Sequence, residues 1–475
     1  MSNPPDLRPS PASWPPWLYM AAMLDALRLI AWLVYDPRQP WGDSTLYWEL
    51  AQETAEGDLW WLTSGHAFRT PGYPWLLSLF MRIGGPWALQ MVLIFQHGCV
   101  WLTHVLCVGL GWRLTQNSVL TGLLWICCVA NTTRPLYAHW ILTETVGGLC
   151  LIALVVTLCC TQRRLLHGLV VGGLLGASIL IRPAYVAWIP MVVTGLLSCQ
   201  RTAPPVAYKK RWLQLALVTL AAIVCLTPWC VRNQQLTGRF TLGYFSGRQL
   251  WKAAFDPWPG GELPLPNEVA HADLLRLSTW RHNWSVARAL AERGWKDHEL
   301  DRWMGAVAWR AICVHPTQFL FRWGVRCLTF WYVKEWPAPG EPEEAPSADW
   351  FRTSPCLPPP WHQERICWSP RLSSWWRTWL TWAPEFHFGP MWCFQAVSWC
   401  AVAYLCSRPD SRWLGVMSLV LFVSTTVLTA WAEVPVYRYR MHLEPVQYLV
   451  LALAGQSFSF RGRIYLWRWK WRRGS

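Results

Sequence analysis

Charge is scarce in this sequence. Of 475 residues only 15% are charged, and acids are the scarcer sign, with 27 Asp and Glu against 42 Lys and Arg for a formal net charge of +15. Soluble domains draw about a quarter of their residues from the charged set, so this composition excludes an ordinary water-soluble globule. No internal repeat is evident, and the 17 cysteines include no metal-spaced C-x-x-C. Cys127-Cys128 and Cys159-Cys160 sit inside apolar runs and read as small lipid-compatible residues. Cys356 and Cys367, in a polar segment, are the pair that suits a disulfide. The first apolar run, "WLYMAAMLDALRLIAWLVY", carries Asp25 and Arg28 and lacks a small-residue cleavage site, so it reads as a retained span and not a leader.

What is present in excess is apolar: 53% of residues are hydrophobic and 40 are tryptophan. Apolar runs recur from Trp17 to Gly455, several reaching the roughly 20 residues that cross about 30 Å of hydrocarbon. The cations lie between these runs, as the positive-inside rule requires, and not on a soluble face with base-stacking aromatics, which argues against nucleic acid as a partner. The basic places are Arg163-Arg164, then Arg201 with Lys209, Lys210 and Arg211, then the tail "RGRIYLWRWKWRR"; they should share the cytoplasmic side.

Spans are expected near Trp17–Tyr35, Trp87–Leu110, Ser118–Arg134, Trp140–Cys160, Gly168–Ile181, Ala184–Cys199, Trp212–Cys230, His387–Leu405, Trp413–Trp431 and His442–Gly455. The fold class is thus an all-α polytopic membrane protein with about 10 (10–13) transmembrane helices, outer-face juxtamembrane helices and a small outer insert. Parity puts Asp36–Pro86, Val231 to about Phe386, and Ala432–Arg440 outside. Three regions follow: a transmembrane module at 1–231 that includes the first outer loop (36–86), an outer insert at 232–386, and C-terminal helices with the basic tail at 387–475. "PWLLSLFMRI" is too short to cross, and Pro316–Val333 carries Arg322 and Arg326; both read as helices at the outer interface, where Arg and Trp are at home. In a competing topology Pro316–Val333 crosses and the chain returns near Leu372–Trp382. Within the insert, Leu300, Trp303, Met304, Val307, Ala308 and Ala311 share one helical face, expected to pack on the membrane body.

The chemistry-bearing residues collect on the outer side. "GDSTLYWELA" sets Asp43 at a helix start with Tyr47 on the same face, and Arg69 follows in "RTPGYPWLLSLF", where two prolines and a glycine make a rigid turn. Taken alone, Asp43 is an ordinary N-cap; with Arg69 an acid and a base are presented together at headgroup depth. Glu144 in "LTETVGGL" lies near the outer end of an apolar helix, where an acid usually faces a cavity or a partner. Arg182 in "IRPAY" and Arg232 in "PWCVRNQQLTGRF" sit at outer helix ends, as interfacial anchors or as site residues. "AEVPVYRYRMHLEP" puts Glu433, Arg438, Tyr439, Arg440 and His442 in an outer turn suited to gripping a phosphate.

In this order these motifs resemble bacterial relatives of the protein O-mannosyltransferases and of the aminoarabinose transferase that modifies lipid A, integral-membrane glycosyltransferases of the C-type fold. The likeness is firm over about 17–255, weaker through the insert, where "VHPTQF" still fits, and returns at 413–455. It implies an enzyme of the bacterial inner membrane, its site facing the periplasm, that moves a sugar from a polyprenyl-phosphate-linked donor to a lipid, glycan or protein acceptor, usually with inversion. Asp43 and Glu144 would be the catalytic carboxylates, Asp43 as general base; Arg69, Arg438 and Tyr439 would hold the donor phosphate; Tyr47, Tyr73, Arg182, Arg232 and Glu433 would line the cavity. No cofactor is certain; a divalent metal is compatible, but the first loop carries a single Asp where some relatives have paired acids. A transporter or lipid flippase without covalent chemistry is the alternative, and favours charges near the midplane and internal repeats. A tryptophan-rich scaffold leaves Asp43, Arg69 and Arg438 unexplained.

Overall fold

The computed structural model describes residues 14–33, 43–131, 133–160, 165–198, 206–255, 263–266, 283–332, 391–432 and 439–456. Every regular element among these residues is helical. In chain order they are α1 (Pro16–Trp32), α2 (Asp43–Ala55), α3 (Gly72–Gly84), α4 (Ala88–Thr115), α5 (Ser118–Ala130), α6 (Thr133–Ala138), α7 (Thr143–Cys160), α8 (Leu165–Ile181), α9 (Ile189–Ser198), α10 (Val206–Thr237), α11 (Ser246–Phe255), α12 (Asn283–Glu292), α13 (Asp297–Val314), α14 (Pro316–Tyr332), α15 (Met391–Ser407), α16 (Arg412–Ala432) and α17 (444–456). Three segments are long and apolar enough to cross a membrane, Gly72–Thr115, Arg211–Thr237 and Arg412–Trp431, and five shorter apolar helices accompany them. Large apolar side chains on the outward faces of α1, α8 and α10, among them Leu24, Val170, Leu220 and Val224, are exposed. In a chain of this composition such a belt is a lipid-facing surface, and the protein is an integral membrane protein.

Glycines set a close helix contact between α8 and α10. Gly168, Gly172 and Gly176 recur every fourth residue on α8, and a Cβ built on Gly172 would stand 2.3 Å from the Val218 carbonyl oxygen of α10. The backbones of α8 and α10 therefore meet directly, the small-residue packing by which helices associate where lipid removes the hydrophobic drive. α10 has 32 residues, about 48 Å at 1.5 Å each, more than a bilayer core requires. Its C-terminal end carries Arg232 and Asn233 beside the loop that follows α2.

α3 has 13 residues, about 20 Å of helix, less than a bilayer core requires by itself. It is joined to α4 through a 3-10 turn at Gly85–Trp87, and Gly85 at φ 50° permits the break. The insert helices α11, α12 and α13 share a core of their own, with Trp251, Phe255, Leu290 and Met304 at its centre. The apolar face of α13 thus turns toward α11 and not onto the membrane body; Gly247 of α11 touches the Asp301 carbonyl so closely that a Cβ would fall 1.8 Å from it. Arg322 and Arg326 also differ from expectation. They face inward at 0% and 1% exposure while Phe321 and Leu328 face out, because Arg322 Nε donates to the Ala253 carbonyl at 2.7 Å. Cys356 and Cys367 lie outside the described residues, as do Arg163, Arg164, Arg201 and the basic tail; the described cysteines are free thiols.

Candidate active site

α2 begins at Asp43, and one turn on Tyr47 occupies the same face, the i, i+4 relation. Arg69 lies just before α3. Gly72 in the turn leading to it abuts α8, a Cβ there falling 2.6 Å from the Leu180 carbonyl carbon, so only glycine lets the loop seat against the helix end. That seating brings Arg69 to Asp43: Nη2 donates to Oδ1 at 2.6 Å, Nη1 reaches the Tyr47 hydroxyl at 3.4 Å, and the guanidinium stands 4.9 Å from the Tyr47 ring. Both partners keep about a fifth of their side-chain surface exposed, 22% for Asp43 and 20% for Arg69, so the pair is reachable.

A second pair forms where α7 begins and α8 ends. Glu144 is in the first turn of α7, where the helix dipole favours a carboxylate. It receives Arg182 Nη1 at 2.6 Å, the same nitrogen lying 3.2 Å from Thr143 Oγ1. The Arg182 guanidinium sits 4.4 Å from the Tyr439 ring. Gly147, next along α7, leaves the space that the Tyr185 hydroxyl fills, 1.7 Å from where a Cβ would stand. Motif "TETVGG" is thus a carboxylate, its hydroxyl neighbour and a gap for an aromatic ring.

Tyr47 touches the first pair through Arg69 and lies within electrostatic reach of the second. Burial holds its phenol proton above the usual range, opposed by the fields of Arg69 and Arg182 and assisted by those of Asp43 and Glu144. Two carboxylate–guanidinium pairs therefore act on one neutral phenol. Tyr73 stands edge-on to Tyr47 with centroids 5.1 Å apart, and its hydroxyl donates to Gln96 Oε1 at 2.8 Å. Arg438 and Glu433 lie outside the described residues. Arg232 makes its hydrogen bonds to the loop after α2. Its Nε and Nη2 donate to the carbonyls of Trp60 and Trp61 at 2.7 Å and Nη1 to Asn233 Oδ1, fastening the loop after α2 to the end of α10. Arg440 is buried and donates to the Phe330 carbonyl.

Behind the cluster run polar contacts that the sequence reading missed. Asn131 Nδ2 donates to Glu444 Oε2 at 2.5 Å and Arg134 Nη2 to the Met441 carbonyl at 2.7 Å, pinning residues 441–444 beneath the site. Asp25, weighed only against a leader, binds His104 Nδ1 at 2.8 Å and Arg28 at 3.0 Å. A charge pair inside an apolar run was the signal for it; nothing local marked His104 as the partner.

The loop before Arg69 also docks on the insert. Arg248 Nη2 binds Asp297 Oδ1 at 2.5 Å, and the Phe68 ring lies 4.2 Å from the Arg248 guanidinium and 4.8 Å from that of Arg69. The Arg69 backbone N–H donates to His66 Nε2 at 3.1 Å, leaving Nδ1 toward Asp297 Oδ2 at 3.7 Å. Burial pushes the His66 imidazole down to about 4, with Arg69, Arg248 and Arg232 acting in the same direction and Asp297 opposing. Among the described residues no three His, Cys, Asp or Glu side chains converge as a metal-ligand set.

No family model and no curated protein matches the chain. Among solved structures it is similar to the crystal structure of ArnT from Cupriavidus metallidurans bound to undecaprenyl phosphate, at 13% identity over 93% of this chain and 77% of that one, with a TM-score of 0.37.

Proposed function

We propose that the protein is a glycosyltransferase that moves a sugar from a polyprenyl-phosphate-linked donor to a lipid, glycan or protein acceptor at the outer face of a bacterial inner membrane, with inversion at the anomeric carbon. The observation that carries this reading is the paired arrangement around Tyr47, Asp43 with Arg69 and Glu144 with Arg182. Transfer needs opposite charges at one place. As the anomeric C–O bond breaks, negative charge grows on the departing phosphate oxygen and positive charge on the sugar, and preorganised guanidinium groups stabilise the former.

In the proposed mechanism Arg69 exchanges Asp43 for the donor phosphate, which frees the Asp43 carboxylate to take the proton of the acceptor hydroxyl. The acceptor oxygen then bonds to the anomeric carbon, and the polyprenyl phosphate departs with the electron pair of the broken bond. Glu144, held by Arg182, faces the developing positive charge. Tyr439 and Arg438 complete the phosphate grip.

The test uses purified full-length protein in nanodiscs with radiolabelled polyprenyl-phosphate sugars and a membrane extract as acceptor source. Wild type should release polyprenyl phosphate and label an acceptor. Asp43→Asn should slow transfer by roughly 10²–10⁴-fold, the usual contribution of a positioned base, while keeping donor affinity. Transfer at the normal rate in Asp43→Asn would remove Asp43 as the base. Arg69→Ala should weaken donor binding by about 1.5–3 kcal/mol, the range for a charged hydrogen bond.

A further inference from the structure

Glu144 borders a small void that it shares with Thr103 of α4, Arg134 of α6, Thr145 and Gly148 of α7, and His442. Its enclosed volume is about 10 Å³, close to the roughly 10–15 Å³ that one water needs. Three lining side chains, each more than nine-tenths buried, carry a polar atom with no hydrogen-bond partner among the described residues: Arg134 Nε, Thr145 Oγ1 and His442 Nε2. Arg134 Nε stands 3.7 Å from Glu444 Oε2, beyond hydrogen-bond reach, while Nη2 donates to the Met441 carbonyl at 2.7 Å. Gly148 points the same way. It is buried one turn after Glu144, yet a Cβ built on it meets no neighbouring atom within 4 Å, so a methyl group there would enter the void. Buried polar groups are nearly always satisfied, and unpartnered atoms around a void of this size mark a water site.

We infer that this void holds one ordered water that joins Arg134 to Glu144, and that Arg134 is thereby a positioning residue for that carboxylate. The inference rests on the transfer reading above, in which Glu144 faces the positive charge that grows on the sugar. The donor and acceptor roles around the void fit one water. A guanidinium only donates and an ionised carboxylate only accepts, so a molecule between them must accept from the Arg134 Nε–H and donate to Glu144. Thr145 Oγ1 and His442 Nε2 can each take either role and complete the set, a buried water making about three hydrogen bonds. Arg182 Nη1 holds the carboxylate through Oε1 at 2.6 Å. A second hold through the water keeps it from turning about that bond, and a carboxylate fixed in this way needs no reorganisation as charge develops.

Paired substitutions separate this role from the fold, each read as kcat, donor KM and apparent Tm on the full-length protein in nanodiscs. Gly148→Ala fills the void with a methyl group. It should lower kcat by roughly tenfold, the scale of a small misplacement at a reacting centre, with donor KM unchanged. Its Tm should equal or exceed that of wild type, because alanine is the better helix former. Thr145→Val keeps the shape, removes the hydroxyl and should lower kcat likewise, whereas Thr145→Ser should keep most of it. Arg134→Gln and Arg134→Met both lose the charge and the bond to Met441, but only Gln places an N–H donor where Nε stood. The Gln variant should therefore exceed the Met variant several-fold in kcat at equal Tm; if neither folds, the Gly148 and Thr145 variants decide. High-resolution cryo-EM density of the wild type should show one water peak within hydrogen-bond distance of Arg134 Nε and the Glu144 carboxylate. Absence of that peak overturns the water site. A peak with unchanged kcat in Gly148→Ala and Thr145→Val overturns the positioning role, as does a raised donor KM at unchanged kcat, or a kcat loss that only follows Tm. Failure of the wild type to transfer any sugar overturns the transferase reading and the positioning role with it, while the density peak is read independently of transfer.

Discussion

Arg182 and Glu144 illustrate why a buried pair is a poor stabiliser and a good positioning device. Glu144 is 2% exposed and its oxygen lies 2.6 Å from Arg182. The pair as a whole contributes little net stability, because both charges leave water, but removing one partner strands the other. Arg182→Met should therefore lower stability by about 3–5 kcal/mol, and adding Glu144→Gln should recover most of that loss. Apparent Tm in one detergent, for wild type, both single variants and the double, completes the cycle. Both Arg182 variants should remain inactive in transfer, since restoring stability does not restore the charges. An additive cycle would mean that the two groups do not depend on each other.

At the scale of the element, α8 carries the site by where α10 lets it lie. Gly172 meets the Val218 carbonyl, whereas the neighbouring Gly173 has open space around its would-be Cβ. Gly172→Leu should force α8 away from α10, costing at least the roughly 1–3 kcal/mol of an overpacked core and carrying Arg182 off Glu144, so that transfer falls as well. Gly173→Leu, one residue along the same helix, should leave both Tm and transfer near wild type. Equal loss in the two variants would show that helix propensity, not the backbone approach, explains the glycines. α3 follows the same logic, since Gly72 against Leu180 places Arg69.

For the whole molecule, His66 joins the loop that bears Arg69 to the insert through Asp297 and Arg248. Its folded-state value of about 4 lies below the ordinary 6.5, so the folded protein keeps the imidazole neutral while the unfolded chain protonates it. Above pH 6.5 neither state is protonated and stability is unaffected; it falls as pH drops from about 6.5 to about 4, by up to about 3 kcal/mol, and then levels. His66→Gln should flatten that slope, read from apparent Tm across pH 4–8. A slope that persists unchanged in the variant would assign it to other groups.

Much of this molecule was legible one segment at a time. Apolar period and run length determined helices at close to their observed bounds. Scarce acids and cations at helix ends picked out Asp43, Arg69, Glu144 and Arg182, because a charge tolerated in an apolar chain must have a partner or reach water. The partners themselves were not legible. Arg182 meets Glu144 across 38 residues, His104 meets Asp25 across 79 and Glu444 meets Asn131 across 313. Arg232 belonged to the same sequence class as Arg182, yet the length of α10 gave it to the Trp60 and Trp61 carbonyls. Arg322 and Arg326 looked like interfacial anchors and are buried instead. The sequence by itself determined which residues form helices and which charges require an answer, since those depend on local period and on the cost of burying charge. Only the tertiary structure decided who answers them, because that depends on how closely two backbones approach, and a few glycines control that approach from far along the chain.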